Sequence, residues 1–195
     1  MKLRETDKVR EAVAASRRTL LTYDDYLRMP AGLRYEIVEG EPRMVPSPGV
    51  FHQEISKRLG RVLLEWIEGQ DLGLVYNAPL DVILSEHNVV QPDLLYVSKE
   101  RLGIIRKENI GGAPDLVVEI LSPSTAGWDQ STKRRIYGLY GVRELWLVDP
   151  EGKSIEVAVW KEGSLITVAV YPAGSTLSSP LLPGFTMEVS RLFRS

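Results

Sequence analysis

Two carboxylates in this chain stand where a carboxylate is costly. Asp93 lies in Gln91-Pro92-Asp93-Leu94-Leu95-Tyr96-Val97, and Glu119 in Pro114-Asp115-Leu116-Val117-Val118-Glu119-Ile120-Leu121, both otherwise apolar and strand-like. Desolvating an unpaired carboxylate costs several kcal/mol or more, about the cost of a large core mutation, so each acid needs a cation, a hydrogen-bonded partner or a strand end. Asp115 and Glu119 fall on one face of an extended segment but roughly 13 Å apart, too far to share an ion. Asp93 on a neighbouring strand would be only about 5 Å to the side of Glu119. Asp93 plus Glu119 is therefore the expected pair for one hard cation such as magnesium, with Asp115 left as an outer residue or a strand start. Ion pairing of either acid with an Arg or Lys across the sheet is the competing reading.

Downstream, Asp129, Lys133 and Tyr137 recur at i, i+4 and i+8, one stripe of a helix. Turned toward the carboxylates, Lys133 would orient or deprotonate an attacking water, or stabilise charge on phosphate oxygens. Turned away, Asp129 and Lys133 form a routine helix ion pair with Tyr137 in the core. His52 at the start of another helix is a weaker candidate for the site or for a phosphate, against a capping or packing role. Glu36 and Glu39 on an early hairpin would add an acidic ligand or belong to a solvated face. Lys57, Arg58 and Arg61 on one helix, with Lys133, Arg134 and Arg135 on the other, form either the expected local phosphate-contacting patch or ordinary solvated helix faces.

The elements that must position these residues are readable from periodicity. Thr22 followed by Asp24 and Asp25 predicts a capped short helix ending before Pro30. Tyr35 to Glu41 and Arg43 to Val45 predict a hairpin around Gly40. Apolar residues at 55, 59, 62, 63, 66 and 67 predict a helix over 51–68 that stops at Gly69. Strands are expected from Leu74 through Pro79 to Leu84, from Val89 to Val97 and from Asp115 to Leu121. A helix over 128–140 closed by Gly141 leads into a strand at 144–148, and a last hairpin joins 154–160 to 165–170 through Glu162-Gly163. This order defines an α/β protein, a mixed sheet flanked by two helices with additional hairpins.

Composition narrows the function classes. The chain has 195 residues, 44% of them hydrophobic, which suits one domain over 21–195 preceded by a mobile or helical arm over 1–20. With no cysteine, thiolate metal sites and cysteine nucleophiles are excluded, and any metal must be held by oxygen or histidine. No apolar run is long enough to span a bilayer, and the first residues lack the pattern of a secretory signal, so no membrane partner and a cytoplasmic location are expected. The 24 Lys and Arg against 26 Asp and Glu leave no global basic field, so a polyanion would have to bind a local patch.

The two acids, the lysine-bearing helix and the strand Glu144-Leu145-Trp146-Leu147-Val148 that follows it resemble the PD-(D/E)XK nuclease superfamily. More closely, the chain is similar to the bacterial Uma-type restriction-endonuclease-like family. That similarity runs from about Leu21 to Val159 and includes Leu21-Thr22-Tyr23, Tyr35 to Glu41, Ser47-Pro48 with His52, and Pro114 to Ser124. The resemblance implies a restriction-endonuclease-like core, magnesium or manganese as cofactor, and hydrolysis of DNA, with RNA also open. The superfamily pattern places a lysine two residues after the glutamate, where this chain has Leu121. The resemblance therefore passes that amine to Lys133, and a catalytically silent nucleic-acid-binding or oligomeric module on the same scaffold stands as the alternative. The late hairpin, near Trp160 and Tyr171, is the expected contact surface for a homodimer.

Overall fold

A computed structural model describes residues 20–29, 34–123 and 126–194. The arm expected over 1–20 falls, apart from Leu20, outside the described residues. Thr22 caps helix α1 (Tyr23–Tyr26) through a reciprocal box: its hydroxyl accepts from the Asp25 amide, and the Asp25 carboxylate accepts from the Thr22 amide. Strands β1 (Tyr35–Val38) and β2 (Glu41–Met44) pair antiparallel around Glu39 and Gly40. Both turn residues have positive φ, 54° and 76°, the two-residue geometry that matches strand twist.

Helix α2 (Val50–Gly69) buries Ile55, Leu59, Leu63 and Ile67, the stripe its spacing predicts. It ends at Gly69, the expected stop. Asp71 takes the left-handed conformation, with its amide bonded to the Glu68 carbonyl and the next amide, Leu72, to Ile67.

Then follow β3 (Gly73–Asn77), β4 (Val82–Ser85), β5 (Asn88–Val90), β6 (Leu94–Ser98) and β7 (Leu116–Ile120). The strand expected over 89–97 is thus two strands in two sheets, broken at Gln91-Pro92-Asp93, where proline has no amide to give to a ladder. The segment 74–84 divides in the same way, and Asp93 sits just outside β6 rather than within a strand. After β7 come α3 (Ala126–Trp128), a π-helical turn (Asp129–Lys133) and α4 (Arg134–Tyr140), which Gly141 closes with φ of 84°. Strands β8 (Glu144–Asp149), β9 (Ser154–Lys161) and β10 (Ser164–Pro172) complete the expected pattern.

Six strands form a mixed sheet in the order β10-β9-β8-β7-β6-β3, parallel only between β7 and β8, and four form a second sheet, β2-β1-β5-β4. The α3–α4 segment is the crossover that the parallel pair requires. Side chains alternate across the six-stranded sheet. Leu94, Leu116, Val118 and Trp146 pack with the α2 stripe, while Leu95, Val117, Leu145 and Leu147 pack with Ile136 and Tyr137 and with Val38, Val82 and Val90 of the second sheet. By that alternation Glu119 faces the crossover helix. The sequence gives no periodic sign of β11 (Thr176–Ser178) and β12 (Thr186–Glu188), yet Leu177, Leu182, Phe185 and Met187 from this region extend the α2-side core. None of the helices, among the described residues, is long and apolar enough to cross a membrane.

Candidate active site

Strand register places the first two acids. Strand β6 pairs with β7 as Leu94↔Val118 and Leu95↔Val117, and one further step along that register sets Asp93 opposite Glu119. The Asp93 backbone is tied to β3's end by the Ala78 amide at 3.0 Å. Its Oδ2 accepts from the Ile120 amide at 2.8 Å and lies 3.2 Å from His52 Nε2 on α2. Glu119 is 3% exposed. Its Oε1 accepts from Lys133 Nζ at 3.0 Å and from the Tyr137 hydroxyl at 2.5 Å.

The helical stripe therefore does turn inward. Lys133 Nζ also lies 2.8 Å from Glu36 Oε1 and 3.6 Å from Asp129 Oδ1, so the helix ion pair is real but is one arm of a larger knot. The π turn Asp129–Lys133 widens the helix at the point where both residues enter the site, a departure common at functional positions. Glu36, expected on a solvated face or as an extra ligand, is buried; its Oε1 also accepts from the Gln91 amide at 2.8 Å.

Electrostatics follow from this burial. Desolvation pushes the Glu119 carboxyl well above its usual range; Lys133 pulls it back, and Asp129, Asp93 and Glu36 push it further up. Burial alone would push the Lys133 amine down, but Glu119, Glu36 and Asp129 outweigh it and hold the amine protonated, well above 10.5. A lysine so held is a donor and a positive charge, not a base. Tyr137 is pushed up by burial and then by Glu119 and Glu36, which keeps its hydroxyl neutral and donating. Burial pushes the His52 imidazole down, Asp93 outweighs it, and the net shift is upward.

Asp115 does not join the site. It lies at the opposite end of β7, fully buried, accepting from the Ser98 amide at 2.8 Å and paired at 3.1 Å with Arg101 and with Arg143. It is a strand-start ion holding three segments together. The expected phosphate patch on the helices is not assembled either. Lys57 and Arg58 pair with Glu54, Arg61 with Glu65, Arg134 with Glu156 and Arg135 with Glu39. His87, in the turn before β5, meets the Leu21 carbonyl at 2.9 Å.

The acids form part of the wall of a cavity of about 360 Å³, which Arg34, Arg43 and Trp128 also line. Residue types alone do not single out these three or Gln91. One available sign is the hairpin register, which pairs Arg43 with Glu36 across β1 and β2 and so carries an arginine to the site with that acid.

Asp93 Oδ1 and Glu119 Oε2 have no hydrogen-bond partner among the described residues, and both belong to hard oxygen ligands. Four carboxylates, Glu36, Asp93, Glu119 and Asp129, surround Lys133 and His52, so a doubly charged cation would balance the cluster. No three Asp, Glu or His side chains among the described residues converge to cage a metal. Two carboxylates without a cage suit magnesium or manganese, ions that keep several waters and take further oxygens from a phosphate.

A mixed sheet with a helix on each face, and an acid pair of buried Glu119 and half-buried Asp93 met by a helix-borne lysine, defines a restriction-endonuclease-like protein. Residues 23–190 match the model of the family Uma2, described as "Putative restriction endonuclease", and the chain belongs to that family. Among solved structures it is similar to the crystal structure of a putative nuclease belonging to DUF820 from Anabaena variabilis ATCC 29413. That similarity has a TM-score of 0.74 at 21% identity, covering 89% of this chain and 97% of the other, which establishes a shared fold. A search of curated proteins finds no match.

Proposed function

We propose that this protein is a metal-dependent nuclease that hydrolyses phosphodiester bonds in nucleic acid, DNA foremost, with Asp93 and Glu119 holding magnesium or manganese. The observation that carries this reading is the convergence of Lys133 on Glu119, at 3.0 Å, beside the register position of Asp93. When bound, the ion would polarise a phosphoryl oxygen and acidify a water. The chain's own groups have separate tasks. His52 and the Ile120 amide fix Asp93 by one oxygen and leave the other to the ion. Tyr137 fixes Glu119 in the same manner. Lys133, held protonated, donates to a phosphate oxygen and stabilises the charge that develops there. A lysine on the helix thus reaches the carboxylates although Leu121 fills the usual strand position. The reading places the protein in the cytoplasm, with nucleic acid as its partner and a second copy meeting it through the exposed outer strand β10, where Ile166, Val168 and Val170 are exposed.

Incubating purified protein with magnesium, manganese or EDTA and with single- and double-stranded DNA and RNA tests the proposal. Metal-dependent cleavage is expected, abolished in D93N and E119Q and reduced about 100-fold or more in Lys133→Met, as for loss of one charge-stabilising donor. Absence of cleavage on every substrate, or cleavage unchanged in both D93A and E119A, would overturn it. Salt-dependent binding without turnover would instead identify the silent binding module.

A further inference from the structure

The arrangement of the cavity constrains what form of nucleic acid can reach the buried acids, an inference that rests on the hydrolytic reading above. Glu119 and Lys133 are 3% and 5% exposed, at the bottom of a recess rather than on a surface. A duplex carries its phosphates on a stiff rod and cannot fold one of them into such a recess without breaking its stacking. A single strand can, because each nucleotide swings independently. The recess, about 360 Å³, has the size of a small-ligand pocket, enough for roughly one nucleotide.

Its lining has the two features that single-strand sites combine, a flat π surface and unpaired cations. The Arg43 guanidinium lies over the Trp128 ring, 4.1 Å from its centroid, and both residues line the cavity. The Trp128 indole N–H is buried without an acceptor among the described residues. Neither Arg34 nor Arg43 has a carboxylate partner among the described residues, in contrast to Arg58, Arg61, Arg134 and Arg135 on the helices. Arg34 is steadied through its Nε, which donates to Gln91 Oε1 at 3.0 Å, leaving its terminal nitrogens available.

We infer that the cavity takes one unstacked nucleotide of a single-stranded polynucleotide, its base against the Arg43–Trp128 pair and an adjoining phosphate on Arg34. The substrate class is thus single strands and frayed ends, not intact duplex. DNA and RNA share this chemistry, and the probes below separate them.

Fluorescence anisotropy in EDTA, with labelled oligothymidine, oligouridine and a DNA hairpin duplex, measures the preference in the absence of turnover. One or both single strands should bind about tenfold or more tighter than the duplex. Trp128→Ala and Arg43→Ala should each lower single-strand affinity about tenfold, and Trp128→Phe, which keeps a ring, should retain most of it. Duplex binding equal to single-strand binding, or single-strand affinity unchanged in both R43A and W128A, would overturn the inference; should W128A not fold, R43A decides. Cleavage followed in parallel with magnesium and manganese separates the two claims. Cleavage that prefers duplex sinks the single-strand inference alone. Single-strand binding that depends on Trp128 and Arg43, with no cleavage under either metal, sinks the hydrolytic reading alone.

Discussion

Lys133 is the residue on which the site's charge balance turns. Its amine neutralises Glu36, Glu119 and Asp129, all of them buried side chains, and removing one partner of such a group leaves the others uncompensated. Lys133→Met is expected to destabilise the fold by about 3–5 kcal/mol in urea denaturation. Adding E36Q to K133M should recover part of that loss, and no recovery would show that packing, rather than charge, sets the cost. Asp115 supplies the contrast. Asp115→Asn weakens its bonds to Arg101, Arg143 and the Ser98 amide and should cost about 2–4 kcal/mol, while metal-dependent cleavage per folded molecule stays at the wild-type rate. A fall in that rate would return Asp115 to the site. Both acids look alike in sequence, being carboxylates of one β segment with one side-chain parity. Distance along the strand separates them, roughly 13 Å, and leaves Asp115 outside the site. What spacing could not resolve was the company each acid keeps. Glu36 and His52 reach the cluster from a hairpin and a helix distant in sequence, and local pattern carries no sign of that convergence.

At the scale of elements, periodic segments were legible and interrupted ones were not. Helix α2, the helical stretch over 126–140 and the β9–β10 hairpin follow from residue spacing, because each buries one face. The segment 89–97 failed as one strand, since Pro92 hands the chain from one sheet to the other, and that transfer is what delivers Asp93 to the edge of β7. The π turn left no trace because the residues at i and i+4 read the same in either helix type. Helix α1 offers a test of how the smaller sheet is braced. The Tyr26 hydroxyl donates to Asp81 at 2.8 Å and accepts from Gln91 at 3.0 Å, which ties α1 to the loop beside Asp93. Tyr26→Phe should cost about 1–2 kcal/mol, the net value of one or two such bonds. Burial first, then Asp81, raises this hydroxyl above its ordinary value of 10.0, so the unfolded chain ionises before the folded one. The stability it contributes is fully present below pH 10 and is lost as pH rises toward the folded value. Melting curves of wild type should therefore fall more steeply than those of Y26F above that pH, and parallel curves would refute the assignment.

For the whole molecule, composition and the ion pairs on the helices point the same way. A chain of net charge −2 whose helix-borne cations are mostly tied to neighbouring carboxylates has little to offer a polyanion at long range. Attraction must then come from the few cations at the cavity mouth, and this makes a quantitative demand on the salt dependence of binding. Each phosphate neutralised on a single strand contributes a slope of about −0.7 in log K against log salt. The one phosphate held by Arg34 would give about −0.7, far shallower than for proteins that track the backbone with a basic face. Anisotropy titrations of oligothymidine across a range of potassium chloride concentrations measure that slope directly. A value steeper than about −3 would mean that more than four phosphates are engaged, and that the strand runs over a surface outside the cavity. A shallow slope that flattens further in Arg34→Ala, with base-dependent affinity retained through Trp128, would locate binding in the recess above Asp93 and Glu119.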